Sequence, residues 1–402
     1  LKANRQGNAG KRKLIVLGSS GSIGENTLKV VEHLNAHDLA DIDVVGLAVG
    51  RRVDVLIEQA KRFGVKHVAV GDESQVEAVK DALPGIQVFG GEFATKDLVE
   101  AVEATDLAAA VVGSAGLPAT MAAIERGMRI SLANKETLVA AGELVSPLVR
   151  EHGAELLPVD SEHSAIFQCL HDHPNRMVKR IVLTASGGPF RTWEKETIEA
   201  ATVEQALKHP TWEMGQKITI DSASMMNKAL EIIEAHWLFD LPGEQIDVIV
   251  HPQSVIHSFV EFVDNSVLAQ LGPPDMKTPI QYALTYPERG LGGSEKMDWR
   301  TLSQLTFEGP DVERFGSLKL AYSVIEAGGT AGAIFNAANE AAVAAFLGRQ
   351  IPFGQITRLV TEALSAIESK PVDSLETVME ADQKARAYVD QQIGQYDANG
   401  VL

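Results

Sequence analysis

The feature that most constrains this chain is the apolar run Leu14–Leu17, which passes directly into Gly18-Ser19-Ser20-Gly21-Ser22-Ile23-Gly24. Glycines three apart let a backbone turn tightly after a strand and approach a ligand closely. The helix that follows offers its unpaired N–H groups and positive dipole end to an anion. A glycine triplet alone fits any strand-to-helix turn. Its place after the first strand favours a dinucleotide pyrophosphate.

The rest of the first 159 residues agrees. Short apolar runs at Leu14–Leu17, Val44–Val49, His67–Val70, Ala108–Val112 and Arg129–Leu132 alternate with amphipathic stretches such as Gly24–Leu34 and Val53–Phe63. Alternating strand and helix predicts an α/β, doubly wound (Rossmann-like) parallel-sheet domain. At the end of the second strand, an acid usually marks NAD specificity. Here the chain reads Val49-Gly50-Arg51-Arg52. Two guanidinium groups suit a 2′-phosphate and favour NADP(H), although two solvated arginines at a helix start would read the same.

After Asp160 the pattern changes to an α+β domain. It has a helix at Ser164–Leu170, a strand at Arg180–Ala185, a helix at Met226–Phe239, and strands at Val248–Val250, Val255–Val263 and Val267–Leu271. Asp264-Asn265 is placed to turn a hairpin between the last two. An irregular Gly- and Pro-bearing stretch then leads to Ala- and Leu-rich segments with helical spacing. The expected division is 1–159, 160–289, a linker at 290–317, and a C-terminal helical bundle at 318–402 with no convergent polar group. Asn336, Asn339 and Glu340 are the bundle residues to watch.

Three acids bear on chemistry. Asp160 and Glu162 lie two apart in a segment that reads as extended, so they share a face and Ser161 points elsewhere unless the segment bends. Asn227, Lys228 and Glu231 fall on one face of a helix. Carboxylates without cysteine or a histidine pair suit a hard cation such as Mg²⁺ or Mn²⁺. The spacing alone serves equally well for solvated acids, and Glu234 is read as a surface acid. His251 and His257, six apart in extended chain, lie roughly 20 Å apart and are read as structural or interface residues.

Charge narrows the partners. Thirty-six basic against 54 acidic residues leave a net charge of −18 across 402 residues, which disfavours a nucleic-acid partner. No apolar run reaches the ~20 residues that span a bilayer. The single cysteine, Cys169, excludes an intrachain disulfide and fits a reducing compartment. The expected setting is cytoplasmic, with the plastid stroma as the alternative if the basic first residues are a processed transit remnant.

The segments GSSGSIG, SLANKETLV, LLPVDSEHSAIFQ, LTASGGPFR, HPTWEMGQKITIDSASMMNKALEIIEAHWLF and HPQSVIHSFVEF occur in this order. Together they resemble the 1-deoxy-D-xylulose 5-phosphate reductoisomerases over nearly the whole chain. The resemblance implies a homodimer that uses NADPH and a divalent cation (Mg²⁺, Mn²⁺ or Co²⁺). Its substrate is a small phosphorylated sugar, rearranged and reduced to 2-C-methyl-D-erythritol 4-phosphate on the route to isoprenoids. It also implies roles for particular residues. Asp160, Glu162 and Glu231 match metal ligands, and Lys135 and Ser161 match substrate contacts. Ser186, Ser222, Asn227 and Lys228 match a phosphate pocket. His209 to Gly215 match a mobile flap, in which His209 is a catalytic residue that reaches the substrate and Trp212 and Met214 cover it. Ser20, Gly21, Ser22, Ile23, Gly50, Arg51, Arg52, Asn134, Glu136 and Gly215 match cofactor contacts. The rival reading on the same framework is a homoserine-dehydrogenase-like oxidoreductase, and a silent NADP(H)-binding sensor is the rival outside enzymes.

Overall fold

A computed structural model describes residues 11–171, 173–300 and 302–399; most of the basic N-terminal stretch lies outside them. The chain forms two compact units. The first comprises residues 1–137, 145–164 and 275–295, the second residues 138–144, 165–274 and 296–402.

The first unit is built on seven strands: β1 (Arg12–Leu17), β2 (Ile42–Val49), β3 (His67–Val70), β4 (Gln87–Gly90), β5 (Asp106–Ala109), β6 (Arg129–Leu132) and β7 (Glu155–Pro158). They form one parallel sheet in the order β4-β3-β2-β1-β5-β6-β7. Leu14, Ile15, Val16 and Leu17 are fully buried, as a central parallel strand covered on both faces requires. The chain moves outward from β1 to β4 and returns to the other side of β1 with β5. Right-handed crossovers therefore set helices on opposite faces, and the strand order reverses at the carboxyl ends of β1 and β5.

Two strands, β4 and β7, were not expected, and β5 starts two residues earlier than expected. Asp106 anchors that start, accepting a 3.1 Å bond from Arg12 Nε. The strand stops at Ala109, and Ala110 then passes close to Gly18. Helix Lys277–Thr285, late in the sequence, also belongs to this unit and packs on helix Ser22–Ala36.

The second unit carries a four-stranded sheet, β11-β10-β8-β9, made of β8 (Val178–Ala185), β9 (Ile246–Val250), β10 (Ile256–Phe262) and β11 (Val267–Leu271). Strands β8 and β9 are parallel, and the other two pairings are antiparallel. The β10–β11 hairpin turns where expected: Asn265 has φ 64°, and Asp264 Oδ1 accepts from Ser266 N at 3.0 Å. His251 is structural. Its ring stacks on Phe307 with centroids 4.8 Å apart, and its Nδ1 lies 2.8 Å from the Thr306 carbonyl. Thr306–Glu308, within the expected linker, is thereby pinned to the edge of β9, where Glu308 pairs with Val250.

Helices Ala331–Leu347, Gln355–Ala366 and Leu375–Asn399 form the C-terminal bundle. Alanines at 333, 337, 338 and 342 are fully buried and allow close helix contact. The bundle does hold convergent polar groups. Arg386 binds Glu340 at 2.7 Å and Asp382 at 2.6 Å, and Asn336 donates to Glu340 at 2.9 Å. A guanidinium brought into a bundle of alanine-rich helices needs such partners.

Candidate active site

The glycine loop sits at the reversal of strand order. Gly18 has φ +72°, and a Cβ there would stand 2.3 Å from the Ala110 carbonyl oxygen. A Cβ on Gly24 would stand 2.3 Å from the Gly18 oxygen, so both glycines are required by close backbone approach. Helix Ser22–Ala36 then begins at Gly21 without a side-chain cap, the kind of helix start an anion can occupy. Arg52 donates to the Ser20 carbonyl at 2.5 Å and contacts Glu25 at 3.4 Å, tying the Gly50–Arg52 corner to the loop. Arg51 is exposed beside it. Asn134 holds the neighbouring loops together. Its amide donates to the Val111 carbonyl and, at 2.8 Å, to that of Gly113, and its oxygen accepts from Thr137 N at 2.8 Å. Glu136 is buried at the start of the next helix.

Strand β7 ends at Pro158 and helix Ser161–Leu170 follows at once. Asp160 and Glu162 are therefore not in extended chain as expected. The Asp160 carbonyl accepts from Ser164 N at 2.8 Å, so Glu162 lies in the first helical turn. Asp-Ser-Glu suits a helix start, because these side chains satisfy or complement its orphan N–H groups. Ser161 does not point away either; its hydroxyl bonds the Glu162 carboxylate. Asp160 and Glu162 bring carboxylate oxygens within 4.8 Å of each other. Lys135 Nζ lies 2.5 Å from Asp160 Oδ2, balancing one of the two charges. His163, fully buried, also places a ring nitrogen within 4.8 Å of an Asp160 oxygen. Its position three residues after Asp160, on the same helical face, was the available signal.

In the second unit, Ser186 follows β8 and Gly187-Gly188 turns the chain with φ +83° and +66°. A Cβ on Gly188 would meet the Ser222 carbonyl oxygen at 2.6 Å, so the Ser186 loop rests on the end of helix Gln216–Ala223. Met225, at φ 59°, redirects the chain into helix Met226–Phe239, whose bounds match expectation. On that helix both the Asn227 amide and the Lys228 ammonium bond the Glu231 carboxylate. Lys228 and Glu231 are 3% and 1% exposed at the side chain. Glu234 is no surface acid, being 1% exposed; this helix is buried nearly all round, so its acids face protein on every side.

The segment Lys208–Gly215 has almost no regular structure. His209 Nδ1 accepts from the backbone N–H groups of Thr211 at 3.2 Å and Trp212 at 2.9 Å. The proton therefore sits on Nε2, which lies 3.0 Å from Ser186 Oγ. Ser186 Oγ also accepts from Gly188 N at 3.2 Å, so its own hydroxyl proton is available to a ligand. Burial lowers the His209 pKa from 6.5 to about 4. Trp212 and Met214 are half-buried along the segment, and Gly215 begins helix Gln216–Ala223.

The expected residues thus fall into two sets. Ser20, Gly21, Ser22, Ile23, Gly50, Arg51, Arg52, Asn134, Lys135, Glu136, Asp160, Ser161 and Glu162 lie in the first unit. Ser186, His209, Trp212, Met214, Gly215, Ser222, Asn227, Lys228 and Glu231 lie in the second.

A doubly wound sheet with an arginine-flanked glycine loop, joined in one chain to lysine-paired carboxylates and serine hydroxyls, defines an NADPH-dependent oxidoreductase. Family models narrow the class. Residues 14–142 match the 1-deoxy-D-xylulose 5-phosphate reductoisomerase model, and residues 156–239 and 271–388 match two models of that enzyme's C-terminal domain. The chain belongs to the 1-deoxy-D-xylulose 5-phosphate reductoisomerase family.

The reductoisomerase of Chloroherpeton thalassium is 49% identical over 380 residues, covering 94% of this chain and 97% of the relative. That of Chlorobium phaeovibrioides is 52% identical over 381 residues, covering 93% and 97%. Among solved structures, the Zymomonas mobilis enzyme in complex with NADPH is 45% identical with a TM-score of 0.88, covering 96% of this chain and 99% of that one. A reductoisomerase in complex with NADPH, fosmidomycin and magnesium is 39% identical with a TM-score of 0.90, covering 96% and 99%. The reaction is the NADPH- and divalent-metal-dependent rearrangement and reduction of 1-deoxy-D-xylulose 5-phosphate to 2-C-methyl-D-erythritol 4-phosphate.

Proposed function

We propose that the residues of the two sets divide this reaction as follows. Ser20, Gly21, Ser22, Ile23, Gly50, Arg51, Arg52, Asn134, Glu136 and Gly215 hold NADPH, with Arg51 facing the 2′-phosphate and Arg52 fixing the loop. Asp160, Glu162 and Glu231 hold the divalent cation. Their all-carboxylate donor set fits a hard ion such as Mg²⁺, and the ion pair of Lys135 with Asp160 offsets part of their charge. Ser186, Ser222, Asn227 and Lys228 hold the substrate phosphate, and Ser161, Lys135 and Glu162 face its carbon chain.

When bound, the cation supplies Lewis-acid polarisation of substrate oxygens and NADPH supplies the hydride. The chain's own groups do the rest. Lys135 offsets negative charge developing on oxygen. Neutral His209 fixes the Ser186 hydroxyl so that its proton points to an acceptor, as a phosphate oxygen requires. Trp212 and Met214 cover the substrate and exclude water.

The observation that carries this reading is the pairing of both Asn227 and Lys228 with Glu231 on one buried helix face. A buried acid and ammonium with no ligand to bind would be a costly way to build a core.

The functional division proposed is 1–159 for NADPH, 160–289 for catalysis and dimerisation, 290–317 as connection and 318–402 as support, with Asp275–Glu295 packing into the first unit. A homodimer through edge strand β11 is proposed because Val267 and Leu268 there are 53% and 45% exposed. Light scattering tests it, and a monomer rejects it. A cytoplasmic setting suits the lone, buried Cys169; among the described residues no helix is long and apolar enough to cross a membrane.

The decisive assay follows NADPH absorbance on adding 1-deoxy-D-xylulose 5-phosphate, with Mg²⁺ and then with chelator, for the wild type and Glu231→Gln. Losing a group that merely orients a metal ligand costs about 10–100-fold, so Glu231→Gln is expected to lose more than that. Metal-dependent activity that survives the substitution rejects Glu231 as a ligand.

A further inference from the structure

We propose that Asn339 and Asp221 are positioning residues for the phosphate cradle, acting through Ser222. The proposal rests on the reading of Ser186, Ser222, Asn227 and Lys228 as that cradle.

Asp221 precedes Ser222 on helix Gln216–Ala223 and is 1% exposed. A carboxylate buried this deeply must be paired on its oxygens. One accepts from Lys217 Nζ at 2.9 Å, a turn earlier on the same helix. The other accepts from Asn339 Nδ2 at 2.9 Å. Asn339 is fully buried on the alanine-rich helix Ala331–Leu347. An apolar contact there would hold the two helices together at less desolvation cost. What the polar pair adds is direction, since a hydrogen bond fixes both distance and angle.

That direction reaches the cradle at two points. Ser222 is the next residue, and a second bond from Ser317 Oγ to the Ser224 carbonyl at 2.8 Å holds the chain just beyond it. Gly188 rests on the Ser222 carbonyl, with room for no Cβ, so the Ser186 loop follows wherever Ser222 goes. The bundle helix therefore sets the separation of two hydroxyls that converge on one anion. Helix Gln216–Ala223, which carries Asp221 and Ser222, begins at Gly215, the end of the flap, so its placement also fixes where the flap is hinged.

The test compares wild type with Asn339→Ala, Asp221→Asn, the exchange Asp221→Asn/Asn339→Asp, and Val343→Ala as a control for core loss on the same helix. Readouts are KM for 1-deoxy-D-xylulose 5-phosphate, inhibition by inorganic phosphate, KM for NADPH, and Tm. Removing one partner of a buried charged hydrogen bond is expected to raise the substrate KM and weaken phosphate inhibition about tenfold in Asn339→Ala, with KM for NADPH moving less than either. The exchange variant, which restores a donor–acceptor pair with its polarity reversed, is expected to recover most of the loss. Val343→Ala is expected to lower Tm without moving KM.

Wild-type KM and phosphate inhibition in Asn339→Ala overturn the proposal, as does an equal rise in KM in Val343→Ala. Should Asn339→Ala not fold, Asn339→Leu, which keeps the side-chain volume and removes the donor, carries the same test. Lys228→Ala separates the two readings. If phosphate inhibition ignores that substitution, the cradle assignment itself fails and the proposal falls with it.

Discussion

The sharpest prediction concerns the protonation of His209. Its Nδ1 is committed to two backbone donors, Thr211 N and Trp212 N. Protonating that nitrogen to make an imidazolium would forfeit both bonds and charge a partly buried ring. The drop from 6.5 to about 4 corresponds to about 3 kcal/mol. The ring keeps some solvent contact, so screening reduces this to about 1–2 kcal/mol. The sign follows from linkage. The folded pKa lies below the unfolded one, so on acidification the unfolded chain takes up the proton first. This contribution to stability is complete above pH 6.5 and is lost as pH falls from 6.5 through about 4. Side-chain ¹⁵N NMR across pH 4–8, with His209→Asn to assign the signal, should show an Nε2–H tautomer still neutral at pH 5.5. The asparagine oxygen can accept the same two backbone bonds but falls short of Ser186. His209→Asn should therefore keep Tm while raising substrate KM about fivefold, the loss of one neutral hydrogen bond. A midpoint at or above 6.5, or a proton on Nδ1, refutes the reasoning.

Three further substitutions test other parts of the frame. Gly142→Ala places a Cβ 2.2 Å from Trp237 Cγ; overpacking is expected to cost about 2–3 kcal/mol in urea unfolding, outweighing the about 1 kcal/mol of helix propensity gained. Gly18→Ala combines φ +72° with a Cβ 2.3 Å from Ala110 O, so NADPH affinity measured by fluorescence titration should fall more than about tenfold as the loop shifts. Arg51→Glu should reduce the NADPH/NADH ratio of kcat/KM by about tenfold or more, as a charge-assisted contact becomes a repulsion; an unchanged ratio shifts the 2′-phosphate role to another residue.

Local chemistry explains what could be read from residues alone. Leu14–Leu17 running into Gly18 specifies a buried strand and a tight turn without any distant partner, and the structure places both there. Strand β4 escaped notice because it lies at the sheet edge with Gln87 and Gly90 exposed and no apolar run. The misplacement of Asp160 and Glu162 in extended chain had a different cause. A spacing of two fits an extended chain, and it is the preference of Asp, Ser and Glu for a helix start that places them in a first turn.

Glu234 shows the limit of judging a residue by type. Its burial is set by what surrounds the helix, and the apolar residues Leu230, Ile232, Ile233 and Ala235 on all sides of it were the signal that no solvent face exists. The same argument reaches Asn339. Its partner Asp221 is 118 residues away, beyond any local pattern. Yet Asn336, Asn339 and Glu340 are the only polar side chains in the otherwise apolar run Ala331–Val343, which has almost no polar face. A helix of that composition is buried over most of its surface, and a buried amide must find a partner. The sequence therefore requires that some polar group meet Asn339, and only the folded chain identifies it as the carboxylate beside Ser222.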